Sequence, residues 1–305
     1  MADTKSTRGL SGKEVRHLLE RFRVESGKHF VLNKCETRVS VPGMADTMAA
    51  KAALQAGVDH LTKLQDKLYA QATWSLLIVL QAMDAGGKDS TIKHVMSDVN
   101  PQGVHVTSFK PPGPEDLAHD FLWRVSKALP ARGMIGIFNR SQYEEVLVPR
   151  VYPQLLEAQH LPIEVVSHKH FWEHRLESIA DFERHLARQG TAIVKFFLHI
   201  SREEQRKRLL TRLEDPRKRW KFSLSDLTDR EHWADYMDAY EAAITATTTK
   251  NAPWFVIPAD DKPIARLLVV EAINEALEAL DLHRPKPTEQ QEAAIAEARR
   301  RLAAG

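Results

Sequence analysis

The stretch WSLLIVLQAMDAGGKDSTIKHV, residues 74–95, decides the fold. Its opening segment 74–80 is apolar except for Ser75, which is the pattern of a strand covered on both faces. A loop with two adjacent glycines follows at 81–87, and a helix is predicted from Lys88 to about Val99. A buried strand, a glycine loop and a helix in direct succession form the usual setting of a phosphate-binding loop.

The loop matches the P-loop pattern of Gly, four residues, Gly-Lys and Ser or Thr only in part. Gly87 and Lys88 agree with it, whereas Ala82 replaces the first glycine and Asp89 replaces the hydroxyl residue. Glycines let backbone N–H groups face a phosphate, and a helix N-terminus adds about half a positive charge. The alternative interpretation is a glycine turn that carries a solvated lysine.

The missing hydroxyl leaves two candidate metal ligands. In ordinary P-loops that Ser or Thr holds Mg²⁺, and Mg²⁺ favours carboxylate oxygens. Asp84 lies inside the loop, where it faces the phosphate position, so it is the preferred candidate. Asp89 is the alternative ligand, and it is equally explained as an ordinary acidic residue at a helix N-terminus.

The rest of the chain alternates strands and helices. We predict strands at 104–109, 134–138, 192–199 and 254–257, and helices at 45–68, 115–129, 171–188, 203–213, 229–247 and 264–280. This alternation predicts an α/β fold with a parallel sheet between helices. We predict a polar N-terminal arm at 1–42, one domain at 43–282 with a lid insertion at about 214–229, and a tail at 283–305.

A second polar motif follows a strand at IGIFNRS, residues 135–141. Ligands of open α/β sheets bind beyond the carboxyl ends of the strands, where Asn139 and Arg140 are expected. Arg140 can hold two phosphate oxygens at once, whereas the neutral Asn139 can offer only an acceptor oxygen or orient a water. The alternative is an Asn-Arg turn at the surface.

The lid insertion adds a basic cluster. Residues 202–221 contain nine Lys or Arg against four Asp or Glu, with Arg217, Lys218 and Arg219 at the centre. Charge runs are usually solvated faces, but a basic lid can close over an anion and exclude water. Arg150, which follows the apolar run 146–148, is a further candidate for a phosphate contact.

Composition excludes several classes. The 305 residues carry a net charge of +2, so bulk attraction to nucleic acid is not implied. A single cysteine, Cys35, allows no intramolecular disulfide and suits a reducing cytoplasm. No apolar run approaches the roughly 20 residues of a membrane span. The histidines at 168, 170 and 174 lack an evident further ligand and are interpreted as surface residues.

Six segments taken together resemble the polyphosphate kinase 2 family, and most closely its class III, whose members act on both AMP and ADP. They are LQAMDAGGKDSTIKHV (80–95), NPQGVHVTSF (100–109), DLAHDFLWRV (116–125), GIFNRSQYEEVLVPRV (136–151), VKFFLHIS (194–201) and DPRKRWKFSLSDL (215–227). The resemblance covers about residues 45–280. It implies a thymidylate-kinase-like P-loop core with a helical lid, and reversible phosphoryl transfer from inorganic polyphosphate to AMP and ADP, which yields ADP and ATP.

The resemblance also implies the site. Asp84, Lys88 and Arg140 would be catalytic, and Mg²⁺, with Mn²⁺ as a substitute, would be the cofactor. The expected phosphate and nucleotide contacts are Ala85, Gly86, Gly87, Lys88, Asp89, Asn139, Arg140 and Arg150, with Arg217, Lys218 and Arg219 on the lid. We expect a homo-oligomer without nucleic-acid or membrane partners. The alternatives are an ATP-dependent nucleoside or nucleotide kinase and a non-catalytic nucleotide- or polyphosphate-binding protein.

Overall fold

A computed structural model describes residues 12–41 and 47–304. The strands in these ranges are β1 Arg23–Val24, β2 Ser75–Gln81, β3 Val104–Ser108, β4 Ile135–Asn139, β5 Thr191–His199 and β6 Trp254–Pro258. The helices are α1 Gly12–Glu20, α2 Thr47–Gln71, α3 Lys88–Val95, α4 Pro114–Leu117, α5 Trp123–Ser126, α6 Glu144–Val151, α7 Ile163–Val166, α8 Phe171–Arg188, α9 Arg202–Glu214, α10 Ser225–Glu231, α11 Trp233–Thr247, α12 Lys262–Glu278 and α13 Glu289–Ala304.

The strands form one sheet in the order β1-β6-β5-β2-β4-β3, in which β1 alone is antiparallel to its neighbour. The predicted α/β fold is therefore confirmed, with β2 at the centre. Leu80 on β2 pairs with Asn139 on β4 and Phe196 on β5. This register brings the ends of β2 and β4 together, so the glycine loop and the Asn139 motif lie side by side.

Successive residues of β2 bury against opposite faces of the sheet, as the pleat requires. Leu76, Ile78 and Leu80 belong to a core with helices α1, α2, α3 and α12. Leu77 and Val79 belong to a second core with helices α6, α8 and α11. Because both faces are covered, β2 is wholly buried, which explains its continuous apolar sequence.

Two predicted helices are interrupted in the structure. The segment 115–129 forms the short helices α4 and α5, because Asp120 accepts a hydrogen bond from the N–H of Leu122 at 2.9 Å. Short polar side chains compete in this way with the helical backbone. The segment 229–247 breaks at His232, so α10 and α11 are separate and the lid helix α10 ends at Glu231.

Residues 12–41 pack against the domain. Val15 and Leu19 of α1 are buried beside α12, and Leu32 is buried in the second core. The predicted arm residues 1–11 and 42, and the predicted domain start at 43, lie outside the described residues. Near the other terminus, α13 has no buried residue. Within the described ranges, no helix has the length and apolar character needed to cross a bilayer.

Candidate active site

The loop after β2 is a tight turn that has no room for a side chain at Gly86. Ala85 and Gly87 have left-handed φ values of 60° and 105°. The N–H of Gly86 donates to the carbonyl of Met83 at 3.0 Å, and a Cβ at Gly86 would lie 2.5 Å from the Cβ of Ala82. Successive backbone amides in such conformations form a concave nest that suits an anion.

Helix α3 begins at Lys88, directly after the loop. Its N-cap, Gly87, provides no side-chain cap, so N–H groups of the first turn stay available to a ligand. The Lys88 side chain is 9% exposed, and its Nζ donates to the carbonyl of Ala82 at 2.7 Å. Burial and the charge of Arg140 lower the pKa of Lys88, although nearby carboxylates act in the opposite direction.

Arg140 is the cation at the junction of β2 and β4. Its Nη2 lies 2.9 Å from Oδ1 of Asp84, and its Nη1 lies 3.6 Å from Oε2 of Glu144. Burial alone would lower the pKa of Arg140, but the charges of Glu144 and Asp84 outweigh it and raise the pKa, so the guanidinium stays charged. Glu144 was not predicted. Its position four residues after Arg140 was the available signal.

A second carboxylate faces Asp84 from the lid. Burial raises the pKa of Asp229, and the charge of Asp84 adds to this effect, while Tyr152 donates to Asp229 at 2.8 Å and lowers the pKa. No group of three or more His, Cys, Asp or Glu among the described residues is arranged to hold a metal ion. One or two carboxylates with substrate phosphates are nevertheless a usual Mg²⁺ site, and the unfavourable pairing of Asp84 and Asp229 fits a divalent cation.

Both carboxylate oxygens of Asp89 already accept hydrogen bonds. Its Oδ1 accepts from Nδ2 of Asn139 at 2.9 Å, and its Oδ2 accepts from Nζ of Lys221 at 3.0 Å. Burial tends to raise the pKa of Asp89, but these two hydrogen bonds outweigh it and the pKa is lowered. Asp89 therefore joins the lid to α3, and the geometry gives more support to Asp84 as the metal ligand.

An apolar cavity of about 740 Å³ opens beside Asp84 and Arg140. This volume is in the usual range for a small-molecule site. Its walls combine aliphatic and aromatic side chains with charged and polar ones. They include Pro111, Pro112, Leu117, Leu147, Val148, Pro149, Tyr152, Leu155, Asp226, Asp229, Tyr236 and Tyr240.

A basic cavity of about 1170 Å³ lies on the other side of the same two residues. Ten Lys or Arg residues line it, against four Asp or Glu. The cations are Lys88, Lys93, Lys110, Arg140, Lys207, Arg208, Arg212, Lys218, Lys221 and Lys262, and the acids are Asp84, Asp89, Glu204 and Asp226. Asp84 and Arg140 belong to both linings, so the two cavities meet where the glycine loop meets β4.

The predicted lid cluster divides in the structure. Lys218 lines the basic cavity together with Lys221. Arg217 is 88% exposed and pairs with Asp215 at 3.1 Å, and Arg219 donates to a backbone carbonyl of α9, so neither lines the basic cavity. The path of the turn therefore decides which side chains of the basic segment line the cavity.

Arg150 is not brought to the site. It is exposed near the end of α6, with its guanidinium 6.0 Å from the ring centre of Trp172, and it lines neither of the two cavities. Its neighbours Glu145, Val146, Leu147 and Pro149 on α6 are buried, whereas Arg150 is exposed. The basic cavity draws instead on Lys207, Arg212 and Lys262, which were not predicted as site residues.

A parallel sheet with a phosphate loop after its central strand, and two cavities that meet at a permanent cation, defines the P-loop class of phosphotransferases. The family profile described as "Polyphosphate kinase 2 (PPK2)" matches residues 44–285, and the chain belongs to this family.

Individual relatives agree with this assignment. The chain is 47% identical over 269 residues to an ADP-polyphosphate phosphotransferase of Rhodopseudomonas palustris, covering 88% of the chain and 93% of that protein. It is 45% identical over 269 residues to an AMP/ADP-polyphosphate phosphotransferase of Meiothermus ruber, covering 88% and 96%. The crystal structure of Polyphosphate Kinase 2 from Arthrobacter aurescens superposes with a TM-score of 0.80 at 40% identity, covering 97% of this chain and 100% of that one.

Proposed function

We propose that the protein transfers phosphoryl groups from inorganic polyphosphate to AMP and ADP, reversibly, and so makes ADP and ATP. The observation that carries the proposal is the meeting of an apolar and a basic cavity at Asp84 and Arg140. The names of the two relatives agree with it, since one is called an ADP- and the other an AMP/ADP-polyphosphate phosphotransferase.

Each cavity suits one substrate. A nucleotide carries a flat apolar base and a sugar, which fit the aromatic and aliphatic walls around Tyr152 and Leu155. Polyphosphate has no apolar part and a charge on every unit, which fits the open basic cavity. The reacting ends of both substrates would then lie between the glycine loop and Arg140.

The reaction needs little from a general base. A terminal phosphate oxygen of the nucleotide attacks the end phosphorus of polyphosphate, and the bond to the bridging oxygen breaks. The leaving group is polyphosphate shortened by one unit. A phosphate monoester has a second pKa of about 6, so the nucleophile is already an anion near neutral pH. Lys88, Arg140 and the loop N–H groups would stabilise the charge that develops.

Asp84, with Asp229 beside it, is proposed to hold the divalent cation, which we take to be Mg²⁺ with Mn²⁺ as a substitute. When bound, such a cation neutralises phosphate charge and polarises phosphoryl oxygens. Arg140 already pairs with Asp84 at 2.9 Å, so the carboxylate is held in place before any ligand arrives. Asp89 is left out of this proposal because Asn139 and Lys221 occupy its oxygens.

The neutral Asn139 is proposed to permit both acceptors. An aspartate at this position would direct a carboxylate at Asp89, whose Oδ1 lies 2.9 Å from Nδ2 of Asn139. It would also add negative charge beside two polyanionic substrates. A less negative strand end should tolerate both AMP and ADP, although the reacting phosphate of ADP lies one phosphate unit further from the sugar.

The test incubates purified protein with Mg²⁺, polyphosphate and AMP. ADP should appear first and ATP later, with no other phosphoryl donor present. A Lys88→Met variant purified in the same way controls for contaminating adenylate kinase. Accumulation of ADP without ATP under excess polyphosphate would limit the enzyme to AMP, and a requirement for ATP as donor would make it an ordinary nucleotide kinase.

We also propose a homo-oligomer that works in the reducing cytoplasm. Large apolar side chains such as Ile163 and Leu224 are more than 70% exposed, and association between copies would cover them. The half-buried free thiol of Cys35 suits a reducing compartment. Light scattering on the eluting protein tests the oligomer, and a monomeric mass would contradict it.

A further inference from the structure

Helix α9 directs two side chains at the back of the glycine loop. Nε2 of Gln205 donates to the carbonyl of Asp84 at 3.1 Å. Nη1 of Arg208 donates to the carbonyls of Ala85 and Gly86 at 3.2 and 3.0 Å. Three consecutive carbonyl groups of the loop are therefore held by residues one helical turn apart.

Holding these carbonyls also directs the amides. A trans peptide group is planar, so its C=O and N–H point in opposite directions, and the described chain has no cis peptide. With the carbonyls of Asp84 and Gly86 turned towards α9, the N–H groups of Ala85 and Gly87 point away from it. Ala85 adopts a left-handed φ of 60°, which is unfavourable for an L-residue and needs support from its surroundings.

Arg208 has no donor left for a substrate. A guanidinium has five N–H groups, and Nε donates to Glu204 at 2.8 Å while Nη1 serves the two loop carbonyls. Nη2 donates to the carbonyls of Ala259 and Asp260, which follow β6. Five donors thus meet five acceptors, and the side chain is only 8% exposed although it borders the basic cavity.

Gln205 is oriented by the lid. It is wholly buried, and its Oε1 accepts from Nη1 of Arg230 on α10 at 3.0 Å. This bond leaves Nε2 as the group that faces Asp84, so the amide cannot be reversed without loss of both contacts. The lid helix and the glycine loop are thereby joined through a single side chain.

We infer that Gln205 and Arg208 are positioning residues, which keep the loop carbonyls away from the phosphate and the N–H groups of Ala85 and Gly87 directed towards it. The inference rests on the proposed function for its kinetic consequences, but the loop geometry can be measured without any reaction. Loss of one preorganised donor to a transferring group typically lowers turnover about 100-fold or more. A partly reoriented loop should lower kcat by about 10- to 100-fold.

Two substitutions separate positioning from direct charge contact. Gln205→Met keeps the volume and removes the donor, at a residue that touches no solvent. Arg208→Lys keeps the charge but has three donors for five acceptors. Both should lower kcat by the stated amount and leave the salt dependence of tripolyphosphate binding unchanged. Lys207→Met, at a residue that lines the basic cavity, should instead flatten that salt dependence. Arg206→Met is the matched control, because Arg206 is exposed on α9, pairs with Glu203 and lines neither cavity, so both kcat and the salt dependence should be retained.

A second readout uses the protein without metal or substrate. Amide resonances of Gly86 and Gly87 should shift in Gln205→Met and Arg208→Lys, and should stay unchanged in Arg206→Met. Wild-type kcat in Arg208→Lys, or unshifted glycine resonances in a folded Gln205→Met, would overturn the inference. If the Arg208 variant fails to fold, Gln205→Met decides alone. A wild-type protein that does not transfer phosphate would refute the proposed function, while the glycine resonances would still test the positioning.

Discussion

Replacing Lys88 with Met should lower activity without lowering stability. Lys88 is 9% exposed, and Met keeps its length and apolar stem. The variant removes a fixed positive charge from the start of α3, where the transferring phosphoryl group is proposed to bind. Loss of one such group typically costs 10²- to 10³-fold in kcat, so turnover should fall by about that factor.

The effect of Lys88→Met on the free energy of unfolding has a different cause from its effect on turnover. Burial and Arg140 lower the pKa of Lys88, which means that its charge is less favourable in the folded than in the unfolded state. The variant gives up the hydrogen bond to Ala82, worth about 1 kcal/mol, but it no longer buries a charge. The free energy of unfolding near pH 7 should therefore stay within about 1 kcal/mol of the wild type or rise.

The pH dependence of the free energy of unfolding tests whether the pKa of Lys88 is lowered on folding. A lowered folded pKa means that the unfolded state binds more protons between that value and the ordinary pKa of about 10.4. Wild-type stability should gain from Lys88 as pH rises through this window, and Lys88→Met should lack that gain. Urea unfolding and initial rates would measure both effects, with Lys63→Met, an exposed residue of α2 that lines neither cavity, as the control. Near-wild-type turnover in a folded Lys88→Met protein would refute the assignment of the loop.

Three other perturbations test separate parts of the structure. Gly86→Ala should lower kcat about 100-fold, because its Cβ would lie 2.5 Å from that of Ala82 and force the loop open. Neutralising Lys218 and Lys221 together should raise the KM for polyphosphate and flatten its dependence on salt, because both line the basic cavity. Burial lowers the pKa of His199 to about 4, so the unfolded state takes up the His199 proton first as pH falls. The wild type should therefore lose about 2 kcal/mol of its free energy of unfolding through His199 between pH 8 and pH 5, and His199→Gln should not show this loss.

Each of these three perturbations has its own control or contradicting outcome. Ala85→Gly changes the same loop but relieves a left-handed φ, so it should keep kcat and stability; equal damage from both loop variants would contradict the steric argument. Neutralising Arg217 and Arg219, which face away from the basic cavity, should have little effect, and a KM change as large as that of the inner pair would show a different lid position. Urea unfolding at several pH values tests His199→Gln, and an unaltered pH profile would contradict its buried neutral state.

The local patterns of the sequence determined the central elements. The apolar run 74–80 required burial on both faces, and it lies at the centre of the sheet. Two glycines before Lys88 indicated a turn open to an anion, and in the structure Gly87 has a left-handed φ. Asn139 and Arg140 were predicted at a strand end where ligands bind, and the β2–β4 register places this strand end beside the loop. These features follow from steric and burial rules that act over a few residues.

Only the tertiary structure decided which distant side chains share the site. Asp229 joins Asp84 because the lid packs back over the apolar cavity, and nothing near either residue in sequence indicates this pairing. In the sequence, Gln205 and Arg208 are ordinary members of a charged helix. They contact the loop because α9 packs behind it. Arg150 had a suitable charge and position in the sequence, but it lines neither cavity. Local sequence determines the conformation of each element, whereas the packing of helices on the sheet determines which of their faces meet.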